Sequence, residues 1–224
     1  MIKIAISIVI INTFMAGQSF SKNNIQAGLL NTVKDRNAYS ILFSGLTFSM
    51  MSFQHDSVVR KFSKENGLLP ESLAVIGDYW GISGQLVLLA SLNESKKSRA
   101  YVSNAFIANG LTTYFIKYFS NRKRPDNSNT FSFPSGHTSN SFLIAELANQ
   151  IHGSKIGAPF FLLALNTGLS RIHHDKHFLS DVIFGAALGV AIGKGFKVLV
   201  NNENENNSLY KPKKDFRIHI NWIL

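Results

Sequence analysis

Ser170-Arg171-Ile172-His173-His174-Asp175-Lys176-His177-Phe178-Leu179-Ser180-Asp181 joins two apolar stretches, 156–170 and 178–200, and gathers three of the chain's seven histidines. Both flanks carry apolar residues at helical spacing, so the segment reads as a polar connector between two helices. His177 and Asp181 are at i, i+4 and stack on one face if the second helix starts near them. A carboxylate so placed accepts from one ring nitrogen, fixes the tautomer and leaves the other nitrogen free as a nucleophile. Two other readings stand beside this one. One is a capped, ion-paired histidine at a helix start. The other is a metal site built from His173, His174, Asp175 and His177, whose spacing shows crowding but no recognised ligand pattern.

Working outward, four more helix-period stretches cover about 38–53, 72–92, 100–119 and 138–151, which makes six in all. Strand signals are nearly absent before the end of the chain. The expected fold is therefore all-α, a bundle of about six core helices. Polar connectors such as Asn93-Glu94-Ser95-Lys96-Lys97-Ser98-Arg99 separate the helices. The tract 201–208 reads as a solvated linker, and Phe216, Ile218, Ile220, Trp222 and Leu224 alternate with polar residues as in a short strand or tail. At the other end, Met1-Ile2-Lys3 precedes an apolar run from Ile4 to Met15 and the small or polar residues Ala16, Gly17, Gln18 and Ser19. That order is the grammar of a signal peptide, and the run is short for a spanning helix. The expected division is a leader or N-terminal membrane segment over 1–19, a helical domain over 20–200 and a linker with tail over 201–224.

Composition narrows the chemistry. A formal net charge of +10 favours anionic partners, and the basic residues show no interleaving with aromatics that would mark nucleic-acid binding. The chain has no cysteine, which excludes disulfides, thiolate nucleophiles and cysteine-held metals.

Two further clusters complement the first. In Lys117-Tyr118-Phe119-Ser120-Asn121-Arg122-Lys123-Arg124-Pro125, Lys117 and Arg124 are seven apart, two helical turns, so both can face one side. Pro125 disfavours helix at Arg124 and puts its guanidinium at the helix exit or in the following loop. Read alone, a basic run after an apolar helix is a solvated end. In Phe133-Pro134-Ser135-Gly136-His137-Thr138, directly before an apolar stretch, Ser135 and Gly136 supply a cap and a backbone open to close approach. The N–H groups of that helix terminus suit a phosphate, with His137 at its edge.

The order and spacing of the three clusters (Lys, six residues, Arg-Pro; Pro-Ser-Gly-His; Ser-Arg, five residues, His, three residues, Asp) resemble the signature of the type 2 phosphatidic acid phosphatase family. Vanadium haloperoxidases and bacterial class A acid phosphatases share it. The resemblance implies a helical core around a phosphate pocket and a phosphate-monoester or diphosphate hydrolase with no metal or other cofactor. It implies that Lys117, Arg124 and Arg171 clamp phosphate oxygens, with donors at Ser135 and Gly136 completing the cradle. In it His177 attacks phosphorus, Asp181 orients His177, and His137 protonates the leaving oxygen. The alternatives it leaves are a vanadium-dependent haloperoxidase, of which known examples are much larger chains, and a non-catalytic anion-binding membrane protein. The expected partner is a phosphorylated lipid or a small phosphomonoester.

The expected location is outside the cytoplasm, in the periplasm or cell envelope, with membrane association open. Arg36 to Asp56 encloses 19 uncharged residues, Lys155 to Arg171 encloses 15, and Glu146 interrupts the fourth stretch. Those intervals are short for a hydrocarbon core of about 30 Å. An exported globular domain is expected over a six-span protein.

Overall fold

The computed structural model of the chain describes residues 22–92 and 96–206, of which 96–97 and 197–206 by backbone alone. The expected leader and the alternating tail lie outside the described residues. Within them the fold is all-α, as expected. Its helices are α1 (Lys22–Lys34), α2 (Arg36–Phe53), α3 (Asp56–Asn66), α4 (Glu71–Ser91), α5 (Lys96–Ser120), α6 (Gly136–His152), α7 (Ser154–His173) and α8 (Leu179–Asn206).

Helices α2 and α4 to α8 are the six expected from periodicity, with ends shifted by a few residues. The last also continues to Asn206, through the first part of the expected linker. Helices α1 and α3 are additions. Each is short and has few apolar residues, and α3 buries only Asp56 and Ser63. Asp35 caps α2 by accepting from the Ala38 amide at 2.8 Å. Gly153, at φ 82°, lets α6 turn directly into α7.

Helix α6 sits at the centre and packs against α4, α5, α7 and α8, while α8 also contacts α1 and α2. Leu143, Ile144 and Leu147 of α6 meet Leu88, Leu188, Ile192 and Phe196 in one buried cluster. Gly185 of α8 passes close to the start of α6, where an added Cβ would lie 2.7 Å from the Ser135 carbonyl oxygen. Only glycine allows that approach, which brings the two helix starts together at one end of the bundle.

The outer surface is more apolar than parts of the inside. Helix α2 buries Ala38, Gly45, Ser49 and Ser52, and turns Phe43, Phe48 and Met50 outward at 58, 60 and 68% exposure. Phe115 and Phe119 of α5 and Leu162 of α7 are likewise exposed. Isolated exposed apolar residues are ordinary, but a helix with serines inside and phenylalanines outside is inverted relative to one shaped by water. The segments Glu71–Ser91 and Leu179–Phe196 are long and apolar enough to cross a membrane. Glu146 is no obstacle on an outer face. It is buried at 3% exposure, paired with Lys194 at 3.2 Å and accepts from Gln150 at 2.6 Å.

Candidate active site

All three motif clusters converge at one end of the bundle, where α5 and α7 finish and α6 and α8 begin. The i, i+4 pair comes together, with His177 ahead of the helix and not on its face as expected. His177 lies in the connector between α7 and α8, Asp181 in the first turn of α8, and both side chains are buried. His177 Nδ1 is 3.6 Å from Asp181 Oδ2 and has no hydrogen-bond partner within normal range. The pair is therefore aimed but not closed.

Asp181 is held by donors alone. Its Oδ2 accepts from Ser132 Oγ at 2.6 Å and the Phe178 amide at 2.8 Å. Its Oδ1 accepts from Arg122 Nη1 at 2.5 Å. With Nδ1 turned to this carboxylate, the His177 Nε2 is the nitrogen left for chemistry. Burial pushes the His177 pKa down from 6.5 to about 3. Asp181 opposes the shift, and Lys117 and Arg124 add to it. The ring is thus neutral, the form a nucleophile requires.

Arg124 lies outside the helix, as Pro125 requires, in a turn where its carbonyl accepts from the Asn127 amide at 3.0 Å. Burial, and then the nearby Arg171, lower the pKa of its guanidinium. Arg171 is 6% exposed, and its Nη1 bonds Asp78 Oδ1 at 2.6 Å. The Nε of both arginines is buried without an acceptor. A buried unmet donor costs about 1–3 kcal/mol, and two of them on neighbouring guanidiniums, one within electrostatic reach of His177, suit a bound anion.

Lys117 is placed differently from the expectation. Its ammonium donates to the carbonyls of Phe131 at 2.7 Å, Pro134 at 2.5 Å and Ser132 at 3.3 Å. It shapes the 131–134 loop, and burial, then Arg124, push its pKa down from 10.5 to about 7, so its charge reaches the site in full only below neutral pH. Ser135 is also committed: its amide donates to the Asp181 carbonyl at 3.0 Å, and its hydroxyl bonds that of Thr138 at 2.8 Å. The cradle's free donors are then the first-turn amides of α6 from Gly136 on, which have no intrahelical acceptor. The His137 ring lies against α4, where a Cβ on Gly81 would come within 2.8 Å of it. Burial, then Arg171, push its pKa down from 6.5 to about 3 and Asp78 opposes them, so this ring too is neutral until an anion binds beside it.

The metal alternative meets a tautomer problem. Glu71, His173 and His174 do bring ligand atoms within 4.8 Å of one another. However, His173 Nδ1 accepts from the amides of Leu68 and Leu69 at 3.1 and 3.3 Å. Its Nε2 must then carry the hydrogen and cannot coordinate. Asp175 is used elsewhere, bonded by Arg60 at 2.7 and 2.9 Å.

Four residues of this site escape the motif reading: Asp78, Ser132, Asp56 and Arg122. Asp78 had a signal, as the one acid beyond the first turn of an otherwise apolar helix. Asp56 comes from a helix distant in sequence and carried none.

A family model described as the PAP2 superfamily matches residues 99–205. The Lipid A 1-phosphatase of Porphyromonas gingivalis is 40% identical over 81 residues, which cover 35% of this chain and 18% of that protein. The aligned part thus spans less than a fifth of the curated relative's length. The crystal structure of a transmembrane PAP2 type phosphatidylglycerolphosphate phosphatase from Bacillus subtilis superposes with a TM-score of 0.60 at 22% identity, covering 77% of this chain and 98% of that one. At that identity the likeness shows a shared fold.

Proposed function

We propose that this chain, whose residues 99–205 carry the match to the PAP2 superfamily, hydrolyses a phosphate monoester or diphosphate of a lipid through a phosphohistidine at His177. The observation that carries the reading is the buried neutral His177, backed by a carboxylate, with two arginines of unmet donors at the same end of the bundle.

The chemistry follows from those groups. The Nε2 lone pair of His177 attacks phosphorus while the bond to the leaving oxygen breaks. His137, protonated because the negative charge of the bound phosphate raises its pKa, gives that oxygen its proton. A water then attacks the phosphohistidine, His137 takes the water's proton, the P–N bond breaks and phosphate leaves. Arg124, Arg171 and the α6 amides stabilise the charge on the equatorial oxygens, with the field of Lys117 behind them. Phosphoryl transfer needs chiefly such positioning and charge, and these cations supply it without a metal.

A lipid substrate is favoured by the inverted surface of α2 and the exposed aromatics of α5, which suit a bilayer better than water. The names of the two relatives point the same way. The site lies at the end of the bundle, level with a headgroup if the apolar helices cross the bilayer. The leader-like residues 1–19 support a place in the cell envelope.

Phosphate release by purified protein from phosphatidate, phosphatidylglycerol phosphate, a polyprenyl diphosphate, lipid A and soluble monoesters tests the proposal. Turnover of at least one lipid above the soluble esters, lost in His177→Ala, is expected. A preference for soluble esters would overturn the lipid assignment, and turnover unaffected by His177→Ala would overturn the mechanism.

A further inference from the structure

Arg122 stands in the basic run between Lys117 and Arg124, where it reads as one more solvated charge. Its side chain is only 16% exposed, and its N–H groups are taken up by carboxylates and a hydroxyl of the protein itself. Nη1 bonds Asp181 Oδ1 at 2.5 Å and Ser180 Oγ at 2.7 Å, and Nη2 bonds Asp56 Oδ2 at 2.7 Å. The guanidinium lies between two aromatic faces, with Cζ at 4.3 Å from the ring centroids of both Phe53 and Phe178. Asp56, the first residue of α3, also accepts from the Ser180 amide at 2.9 Å and the Ser180 hydroxyl at 2.6 Å.

Resting on the phosphatase reading above, we infer that Arg122 and Asp56 are positioning residues of the catalytic pair, fixing the Asp181 carboxylate so that Oδ2 stays turned toward His177. Arg122 is the one donor to Asp181 Oδ1 among the described residues. The two bonds at Oδ2 leave the carboxylate free to rotate about them. A third bond at Oδ1, from a guanidinium held by two rings and a second carboxylate, removes that freedom. At 3.6 Å the His177–Asp181 contact has little margin, so a small rotation of the carboxylate misaims it.

The charged groups around Asp181 define how the variants differ. His177 faces it from the connector, Arg122 from the α5 exit loop, Asp56 from α3, and Lys117 and Arg124 act at longer range. Arg122→Gln leaves two buried carboxylates with no cation between them. A proton is then taken up at higher pH, and the working ionisation, neutral His177 with charged Asp181, is lost sooner on acidification. Asp56→Asn removes a carboxylate and keeps the cation, so it loses the aim without that loss of ionisation.

The test is the pH dependence of turnover of p-nitrophenyl phosphate by the full chain and its variants. Both Arg122→Gln and Asp56→Asn should lower kcat by about 10–100-fold, the range for outer partners of functional histidines, with KM changed less than about threefold. The acid limb should move to higher pH in Arg122→Gln and should not do so in Asp56→Asn. The double variant should be no worse than Arg122→Gln, since the residues act as a unit. Wild-type kcat in both variants, or equal upward shifts of the acid limb, overturns the inference while the phosphatase reading stands. A wild type inactive on every ester overturns that reading. If Arg122→Gln does not fold, the near-isosteric Asp56→Asn decides alone: lowered kcat at constant KM upholds the role, and unchanged kcat removes it.

Discussion

Asp181→Asn is close to isosteric yet meets a site built entirely of donors. Arg122 Nη1 approaches one carboxylate oxygen at 2.5 Å, while Ser132 Oγ and the Phe178 amide approach the other at 2.6 and 2.8 Å. An asparagine must aim its NH₂ at one of these sides. Facing Arg122 it would oppose a cation, so the better choice is the Ser132 side, where the hydroxyl can turn and accept. The Phe178 amide is then left without an acceptor, which costs about 1–3 kcal/mol of stability. The larger effect is on His177. Its Nδ1 would face an N–H in place of a carboxylate, which favours the tautomer with hydrogen on Nε2 and blocks the attacking lone pair. In serine hydrolase triads the same exchange lowers kcat by about 10⁴, and a fall of that order is expected here. The assay is phosphate release under saturating substrate, with thermal unfolding measured alongside. A variant within about tenfold of wild type in kcat would mean that Asp181 does not set the tautomer, since even weak proton-transfer control contributes about 10²-fold.

Other outcomes follow from the same geometry. Arg171→Lys should lose about ten- to 150-fold in kcat/KM, because one ammonium cannot bond Asp78 and replace the buried Nε toward phosphate, and a charged hydrogen bond contributes about 1.5–3 kcal/mol; steady-state kinetics within threefold of wild type would contradict the placement. His137→Ala should fail on alkyl phosphates yet still form phosphoenzyme from nitrophenyl phosphate, whose leaving group needs no proton; rapid-quench bursts on both substrates measure this, and equal collapse on both refutes the assigned role. The His177 pKa is lowered from 6.5 to about 3 by burial, so the unfolded chain binds the extra proton first as pH falls. The stability due to neutral His177 is therefore complete above about pH 6.5 and lost toward pH 3, and wild type should lose more of its thermal midpoint across that window than His177→Asn. Parallel losses would place His177 in water.

Much of this was legible in the chain. Apolar periodicity over 38–53, 72–92 and the four later stretches predicted the six main helices, because each carries its period over at least three turns. Residues 22–34 and 56–66 did not, since each holds too few apolar side chains (Val58, Val59 and Phe62 in the second) to carry the period over three turns. The motif residues were legible because short spacings fix them: His177 to Asp181 within one turn, and Arg124 against Pro125. Ser135 and Lys117 show the limit of that reading. Which donor serves the ligand and which serves the loop depends on where carbonyls such as Phe131 and Pro134 fall in space. Asp56 meets Asp181 through Arg122 across more than a hundred residues of sequence, a contact no local pattern encodes. The expectation of a globular exported domain rested on the short uncharged intervals and on Glu146. Charge spacing says nothing of which side of a helix faces out, and Glu146 faces in.

The central claim is that phosphate passes through a covalent bond to His177. A rapid quench in base during turnover of a ³²P-labelled ester, followed by peptide mapping, measures it directly. The account predicts base-stable, acid-labile label on the peptide carrying His177, increased in His137→Ala and absent in His177→Ala. Label on another residue, or full turnover by His177→Ala, would contradict it.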